Sequence, residues 1–345
     1  MYDLVYFYPH GHEAHYQDGH PERPERIEAL RKAIKRAGWW DDYPKLAPLA
    51  LSRDLLEEIH TPAYLEALEA ACARGASLDM DTYTTPASWD LALSAAGGGV
   101  TVARAVWQAE SRRGFALTRP PGHHATSARA MGFCLLNNVA LAAQDLLTRD
   151  DSRYPPAERL AIVDLDLHHG NGTQDIFYQR GDVFYLSTHQ SPLYPGTGSL
   201  QETGAGQGAG ATANFPLPPF TGDEGFNAVM DELILPLLDR FNPQMLLVSV
   251  GFDIHWRDPL GQLLLSAQAY HHLISKFTAW ADQNCHGKIV LFLEGGYDLQ
   301  AGEACAQAFV SALLNKPWVD RLGSSNREES QSWRPVLRTA RELWF

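Results

Sequence analysis

Residues 160–172 read Leu-Ala-Ile-Val-Asp-Leu-Asp-Leu-His-His-Gly-Asn-Gly, an apolar run that leads directly into Asp164, Asp166 and His168 at alternate positions. The spacing predicts a strand over Leu160–Leu167, and a period of two points the three polar side chains to one face. Three such groups on a buried strand are costly unless they are paired or hold a cation. A lone aspartate or histidine would read as a structural residue, but the cost accumulates over three. Asp253, at the end of another apolar run, is placed to supply a further ligand. Asp166, His168 and Asp253 then form a histidine-plus-two-carboxylate set with open positions, as a catalytic metal needs. The set suits Zn(II) or Fe(II) and does not choose between them. Asp164 is left to orient a histidine. His169 points to the opposite face and reads as a packed, hydrogen-bonded residue.

Working outward, the other strand candidates are Leu4–Tyr8, Phe115–Thr118, Val183–Ser187, Met245–Val250 and Ile289–Leu293. They alternate with helical segments at Pro24–Ala37, Ser88–Glu110, Asn137–Leu147, Asp223–Phe241, Ser266–Asn284 and Glu303–Leu314. This is the pattern of an α/β fold with a largely parallel sheet. Five strands run into polar or glycine-rich motifs: RPPGHH, DLDLHHGNG, STH, GFD and EGGY. In an open parallel sheet the carboxyl ends share one edge, where ligands bind, so the five motifs should converge. No linker is evident, and a single domain is expected. Residues 1–317 would carry it, with 318–345 a C-terminal extension packed on it and ending in a short helix. The glycine-rich stretch Gly196–Gly210 reads as a mobile loop.

Of 345 residues, 45% are hydrophobic and 20% charged, an ordinary globular composition. The formal net charge is -13, from 28 basic and 41 acidic residues. That balance argues against nucleic acid and mildly favours cationic partners such as lysine-rich peptides or polyamines. Cys72, Cys134, Cys285 and Cys305 are too irregularly spaced for a zinc clip or a disulfide framework. No apolar run has membrane-spanning length. The opening MYDLVYFYPHGHE lacks a basic stretch and does not read as a secretion signal. A reducing cytoplasm is the expected compartment. A homo-oligomer is left open, because Trp256, Trp333 and Trp344 read equally as interface residues or internal packing.

His123 and His124 follow a Pro-Pro-Gly turn, where both can reach one site. With different partners they can hold different proton affinities, one acting as base and acid while the other stays charged. Asp164 and Asn171 are the obvious partners, and the carboxylate should raise its histidine's pKa far more than the amide does. Tyr297 ends Glu-Gly-Gly-Tyr, where its phenol could donate to an oxyanion.

RPPGHHA, GFCLLNN, DLDLHHGNGTQDIF, PGTG, GFD and EGGYD together resemble the histone deacetylase superfamily, in particular its class II-like bacterial amidohydrolases and acetylpolyamine amidohydrolases. The resemblance runs from HPERPERIEAL to EGGYD. It implies the arginase/deacetylase fold, a mainly parallel eight-stranded sheet between helices. It implies zinc on Asp166, His168 and Asp253, with His124 as general base and then acid, His123 as its electrostatic partner and Tyr297 as carbonyl-polarising donor. Phe133 and Tyr194 become walls of an acyl-lysine channel, completed by Gly132, Leu260, Gly295 and Gly296. Arg26 resembles the arginine of a product-release region, and Asp81 an aspartate that grips the substrate backbone. A structural potassium is implied on Asp164, the Ser187 hydroxyl and the carbonyls of Asp166, His168 and Thr188. The implied reaction is hydrolysis of acyl-lysine, most simply acetyl-lysine in peptides or proteins, by metal-activated water. The alternative is an acetylpolyamine or other small N-acylamine. Asn171 follows the class II pattern, where class I members carry aspartate. Leu260 replaces a glutamate of a polyamine-selective relative and so favours acyl-lysine. Ile254, His255 and Trp256 depart from the small residues usual after GFD. They are expected to reshape the rim, with His255 at the rim or surface and not a ligand.

Overall fold

A computed structural model describes all 345 residues. Eight strands form one sheet: β1 Val5–Phe7, β2 Lys45–Leu46, β3 Arg113–Ala116, β4 Leu160–Leu165, β5 Val183–Gln190, β6 Thr212–Leu217, β7 Leu246–Val250 and β8 Ile289–Leu293. Their order is β2-β1-β3-β8-β7-β4-β5-β6, and every pair is parallel. The six expected strands are present with shifted ends. β2 is too short to leave a pattern. β6, TANFPL, contains an asparagine and a proline, which weaken a strand signal; the edge position tolerates Pro216.

Alternate strand residues enter separate cores. Tyr6, Phe115, Val163 and Leu291 face one apolar cluster, whereas Val5, Phe7, Ala116, Ile162 and Val290 face the other. Helices α1 Glu25–Arg36, α9 Ala267–Asn284 and α10 Leu299–Leu313 cover the first side. The second side is covered by α2 Arg53–Ile59, α3 Pro62–Arg74, α4 Ser88–Trp107 and α5 Asn138–Thr148, with α6 Asn171–Phe177 contributing Phe177. In α4, Gly98 lets the helix lie against β1, since a Cβ there would come within 2.2 Å of the Phe7 ring. The α2 and α3 helices were not expected, although Ser52 and Thr61 cap them by accepting from the Leu55 and Tyr64 amides.

The helix expected over Asp223–Phe241 is interrupted. It runs as α7 Asp223–Val229, a π-helical turn Met230–Ile234 and α8 Leu235–Phe241. Pro236 explains the widened turn, because it has no N–H to donate and crowds the carbonyl four residues back.

The final helix, α11 Trp333–Trp344, buries Trp333, Leu337, Ala340 and Trp344 in the first core. Two tryptophans left open as interface residues thus pack internally, while Trp256 is half-buried and donates from Nε1 to the Gly323 carbonyl at 2.9 Å. No helix is long and apolar enough to cross a membrane. All four cysteines are buried and unpaired.

Truncation of Trp344 to alanine is therefore expected to cost about 3–5 kcal/mol of unfolding free energy, the usual cost for a buried tryptophan. Urea unfolding checks this; an unchanged midpoint would mean that α11 is a dispensable tail.

Candidate active site

The five motif-bearing strands are neighbours, in the order β3-β8-β7-β4-β5. Their carboxyl ends bring together segments that are up to 175 residues apart, as when the Thr118 hydroxyl donates to the Leu293 carbonyl at 2.6 Å. β4 stops at Leu165, earlier than expected, so Asp166 and His168 lie in a bend beyond the strand. The expected convergence holds, but its cause for these two residues is the bend and not strand periodicity.

Asp166, His168 and Asp253 bring one ligand atom each within 4.8 Å of one another. Asp166 Oδ1 accepts from the His168 amide at 2.9 Å and Oδ2 from the Gly295 amide at 2.9 Å. Asp253 Oδ1 accepts from the Leu167 amide at 3.0 Å. Asp253 Oδ2 is buried without a hydrogen-bond partner, 3.6 Å from His168 Nδ1. The cradle admits no extra carbon: a Cβ on Gly251 would come within 2.1 Å of Asp166 Oδ2, and one on Gly295 within 2.0 Å of Asp253 Oδ2. Burial works to raise the Asp166 pKa, but His123 and His168 hold it well below the usual range. Asp253 is raised, by burial first and by Asp166 second. An orphaned carboxylate oxygen and a mixed N/O donor set fit a divalent ion such as zinc.

His123 Nδ1 donates to Asp164 Oδ2 at 3.0 Å, and His124 Nδ1 to Asn171 Oδ1 at 2.8 Å. An amide oxygen only accepts, so His124 carries its proton on Nδ1 and leaves Nε2 with a free lone pair. The Asn171 amide nitrogen faces Met131 Sδ at 3.4 Å, consistent with that orientation. Burial opposes charge on His123, yet Asp164, Asp166 and Glu294 push its pKa up to about 10. His124 is held well below the usual range by burial, then by His123 and His168. The two adjacent imidazoles, 4.1 Å apart, are thus pushed in opposite directions, His123 toward the cation and His124 toward the neutral base. Asp164 also accepts from the Tyr185 hydroxyl at 3.2 Å.

A cavity of about 310 Å³ leads down to these groups. His123, His124, Asp166, His168, Gly295 and Tyr297 line it, with Gly132, Phe133, Leu193, Tyr194 and Leu260 as walls and Asp81 and Pro21 also on its lining. Phe133 packs edge-on to Tyr297 at 5.9 Å and Tyr194 edge-on to His124 at 5.2 Å. Burial raises the Tyr297 pKa well above the ordinary value despite the opposing Arg26, with Asp253, Asp166 and Asp258 adding to the rise, so the phenol remains a donor. Gly296, expected in the channel, is not on its lining. Its φ of +112° turns the chain so that a Cβ would strike Phe252 at 2.6 Å. His255 is a second correction: it is buried, stacked on Trp256 at 5.5 Å, and Ile254 is buried too. They do not line the channel; of the GFD segment only Leu260 does. His169 is buried between Thr197 Oγ1 at 2.7 Å and Gln174 Oε1 at 2.9 Å, the structural setting expected for it. Ser187 pairs with Asp164 in the sheet, its hydroxyl 2.9 Å from His189 Nδ1, while Thr188 Oγ1 is unpartnered.

Three buried acids in or beside the motifs were given no role from sequence. Glu294 Oε2 accepts from the Gly122 and His123 amides at 2.7 and 3.2 Å and so fixes the histidine turn. Glu22 lies between Arg119 at 2.7 Å and Arg26 at 3.0 Å. Arg26 donates from Nε to the Gly296 carbonyl at 2.6 Å, and its guanidinium lies 4.9 Å from the Tyr297 ring centroid. Asp258 accepts from the Tyr297 amide at 2.6 Å. The available signal was an acid or arginine bordering apolar or proline-rich sequence, which must find a partner when buried.

A model of the histone deacetylase domain matches residues 20–313. The chain belongs to the histone deacetylase family. A probable deacetylase of Archaeoglobus fulgidus is 42% identical over 81% of this chain and 77% of its own length. A histone deacetylase-like amidohydrolase of Pseudomonas aeruginosa is 35% identical over 86% of this chain and 77% of its own. The crystal structure of the HDA15 HD domain superposes with a TM-score of 0.89 at 30% identity, covering 99% of this chain and 94% of that one. The fold is thus the arginase/deacetylase type, and the activity of this histone deacetylase family member is amide hydrolysis of the deacetylase kind.

The buried Glu22 gives a pH prediction. Burial alone would raise its pKa, but Arg119, Arg26 and His15 hold it at about 2 against an ordinary 4.5. A depressed folded-state pKa stabilises above the unfolded value and is lost as pH falls through the folded one. Stability is therefore expected to drop between pH 4.5 and 2 by on the order of 3 kcal/mol from this group. Glu22→Gln should lose about 3–5 kcal/mol at neutral pH. Urea unfolding across pH checks both; a Glu22→Gln protein with wild-type acid sensitivity and stability would contradict the network.

Proposed function

We propose that the protein is a zinc-dependent deacylase acting on the side-chain amide of acyl-lysine, with acetyl-lysine in peptides or proteins as the simplest substrate. The observation that carries this reading is the geometry of His123 on Asp164 and His124 on Asn171, side by side in a narrow channel that two of the three candidate ligands also line. Asp166, His168 and Asp253 would hold the ion, which supplies Lewis acidity toward water and the amide carbonyl. A potassium ion near Asp164 and Ser187 belongs to the same proposal.

The chain's own groups handle the protons. His124 Nε2 takes a proton from the water whose oxygen attacks the carbonyl carbon. Tyr297 donates a hydrogen bond to the developing oxyanion, and cationic His123 adds positive charge beside it. His124 then returns the proton to the amine nitrogen as the C–N bond breaks, giving a carboxylic acid and a free amine, which exchange a proton to leave as carboxylate and ammonium. Phe133 and Tyr194 confine an unbranched aliphatic stem between aromatic faces. Asp81, exposed and lining the cavity, is placed to accept from a peptide backbone N–H.

A small N-acylamine, such as an acylpolyamine, is the second reading. The net charge of -13 favours a polycation. Against it, Leu260 gives the channel an uncharged wall where a distal ammonium would want a carboxylate. Comparison of kcat/KM on an acetyl-lysine peptide and on acetylputrescine separates the two; a preference for acetylputrescine would overturn the acyl-lysine reading. Tyr297→Phe is expected to lower kcat about 10²–10³-fold with metal content intact. Steady-state kinetics check this, and near wild-type turnover would remove Tyr297 from the mechanism.

A further inference from the structure

Tyr297 stands on a turn of two glycines, which gives its backbone more freedom than a positioned donor can use. The structure restrains it from two sides. On the carbonyl side, Arg26 holds the Gly296 and Glu294 carbonyls. On the amide side, the only carboxylate is that of Asp258, 39 residues away in sequence and 6% exposed. Its Oδ2 accepts from the Tyr297 amide at 2.6 Å and from the Asp298 amide at 3.2 Å. Its Oδ1 accepts from the Leu260 amide at 3.0 Å, closing a turn around Pro259. Arg257 Nε reinforces the junction by donating to Asp298 Oδ1 at 3.3 Å. Asp298 in turn caps α10 through the Ala301 amide at 2.8 Å. One buried carboxylate therefore joins the segment bearing Tyr297 to the segment bearing Leu260, and both side chains line the channel.

We propose that Asp258 is a positioning residue: it holds the Tyr297 phenol in the channel and sets Leu260 against it, without touching substrate. This rests on the deacylase reading for its kinetic consequence but not for its structural one. Both oxygens are needed, since each serves a different segment. Asn at this position offers one acceptor oxygen and an NH2 that faces N–H groups. Ser can still close the local turn to the residue-260 amide through its hydroxyl but is too short to reach Tyr297.

The test is steady-state hydrolysis of an acetyl-lysine peptide by zinc-loaded Asp258→Ser and Asp258→Asn, with metal content and thermal unfolding measured alongside. We expect kcat to fall on the order of 10²-fold from misplacement of the phenol, with KM and metal content near wild type. In a Tyr297→Phe background the same substitution should cost less than about twofold, because the group it positions is gone. An equal loss in both backgrounds, or wild-type kcat in Asp258→Ser, would overturn the proposal. A crystal structure of Asp258→Ser reads the same point without turnover. The phenol is expected to leave its wild-type position, and a phenol still in place would overturn the proposal even if the protein proved inactive on every acylated amine. Lack of hydrolysis by the wild-type protein would instead count against the deacylase reading alone.

Discussion

The site depends on two carboxylates held side by side in a buried setting. β4 and β7 are adjacent, with Leu165 paired to Val250, so the residues just beyond them bring Asp166 and Asp253 together. β8 lies next to β7 and delivers Gly295, whose missing side chain makes room for both acids. Like charges in a low-dielectric setting repel strongly and must be met by positive charge or by protons. Backbone amides of Leu167, His168 and Gly295 meet part of the demand, and Asp253 Oδ2 is left with none of it. A divalent cation answers that remainder, and the geometry of the surrounding strands keeps the demand in place.

The same excess of negative charge organises the histidines. His123 faces Asp164 and Asp166, which favour its cationic form, while burial first and the neighbouring His123 second depress His124. His124 is given an amide partner, so its basicity is not raised by a second carboxylate. A base with a free Nε2 and a fixed cation one residue away arise from one choice: aspartate behind the first imidazole and asparagine behind the second. Tyr297 is governed by a parallel arrangement, with Arg26 and Asp258 restraining the two ends of a glycine turn.

Much of this was legible in sequence because the chemistry sits where apolar runs end. The alternation Asp164, Asp166, His168 announced a charged face, and the RPPGHH, GFD and EGGY endings announced the partners. The parallel sheet followed from alternation of strand and helix, although β2 and β6 left too weak a pattern, one by length and the other through Pro216. Periodicity overstated β4, since hydrogen bonding stops at Leu165 while the alternation of residue types continues. His255 shows the opposite failure: a polar residue after a ligand reads as rim, yet it is buried and stacked on Trp256. Glu22, Glu294 and Asp258 were least legible, because a buried acid declares its role only through partners that are distant in sequence.

The central claim is that Asp166, His168 and Asp253 form one cation site, and zinc titration of metal-stripped protein by calorimetry tests it most directly. The account predicts one tight ion per chain for the wild type and loss of that binding in Asp253→Asn, with the fold retained. A wild-type chain that takes up no divalent ion, or an Asp253→Asn chain that binds as tightly as wild type, would contradict it.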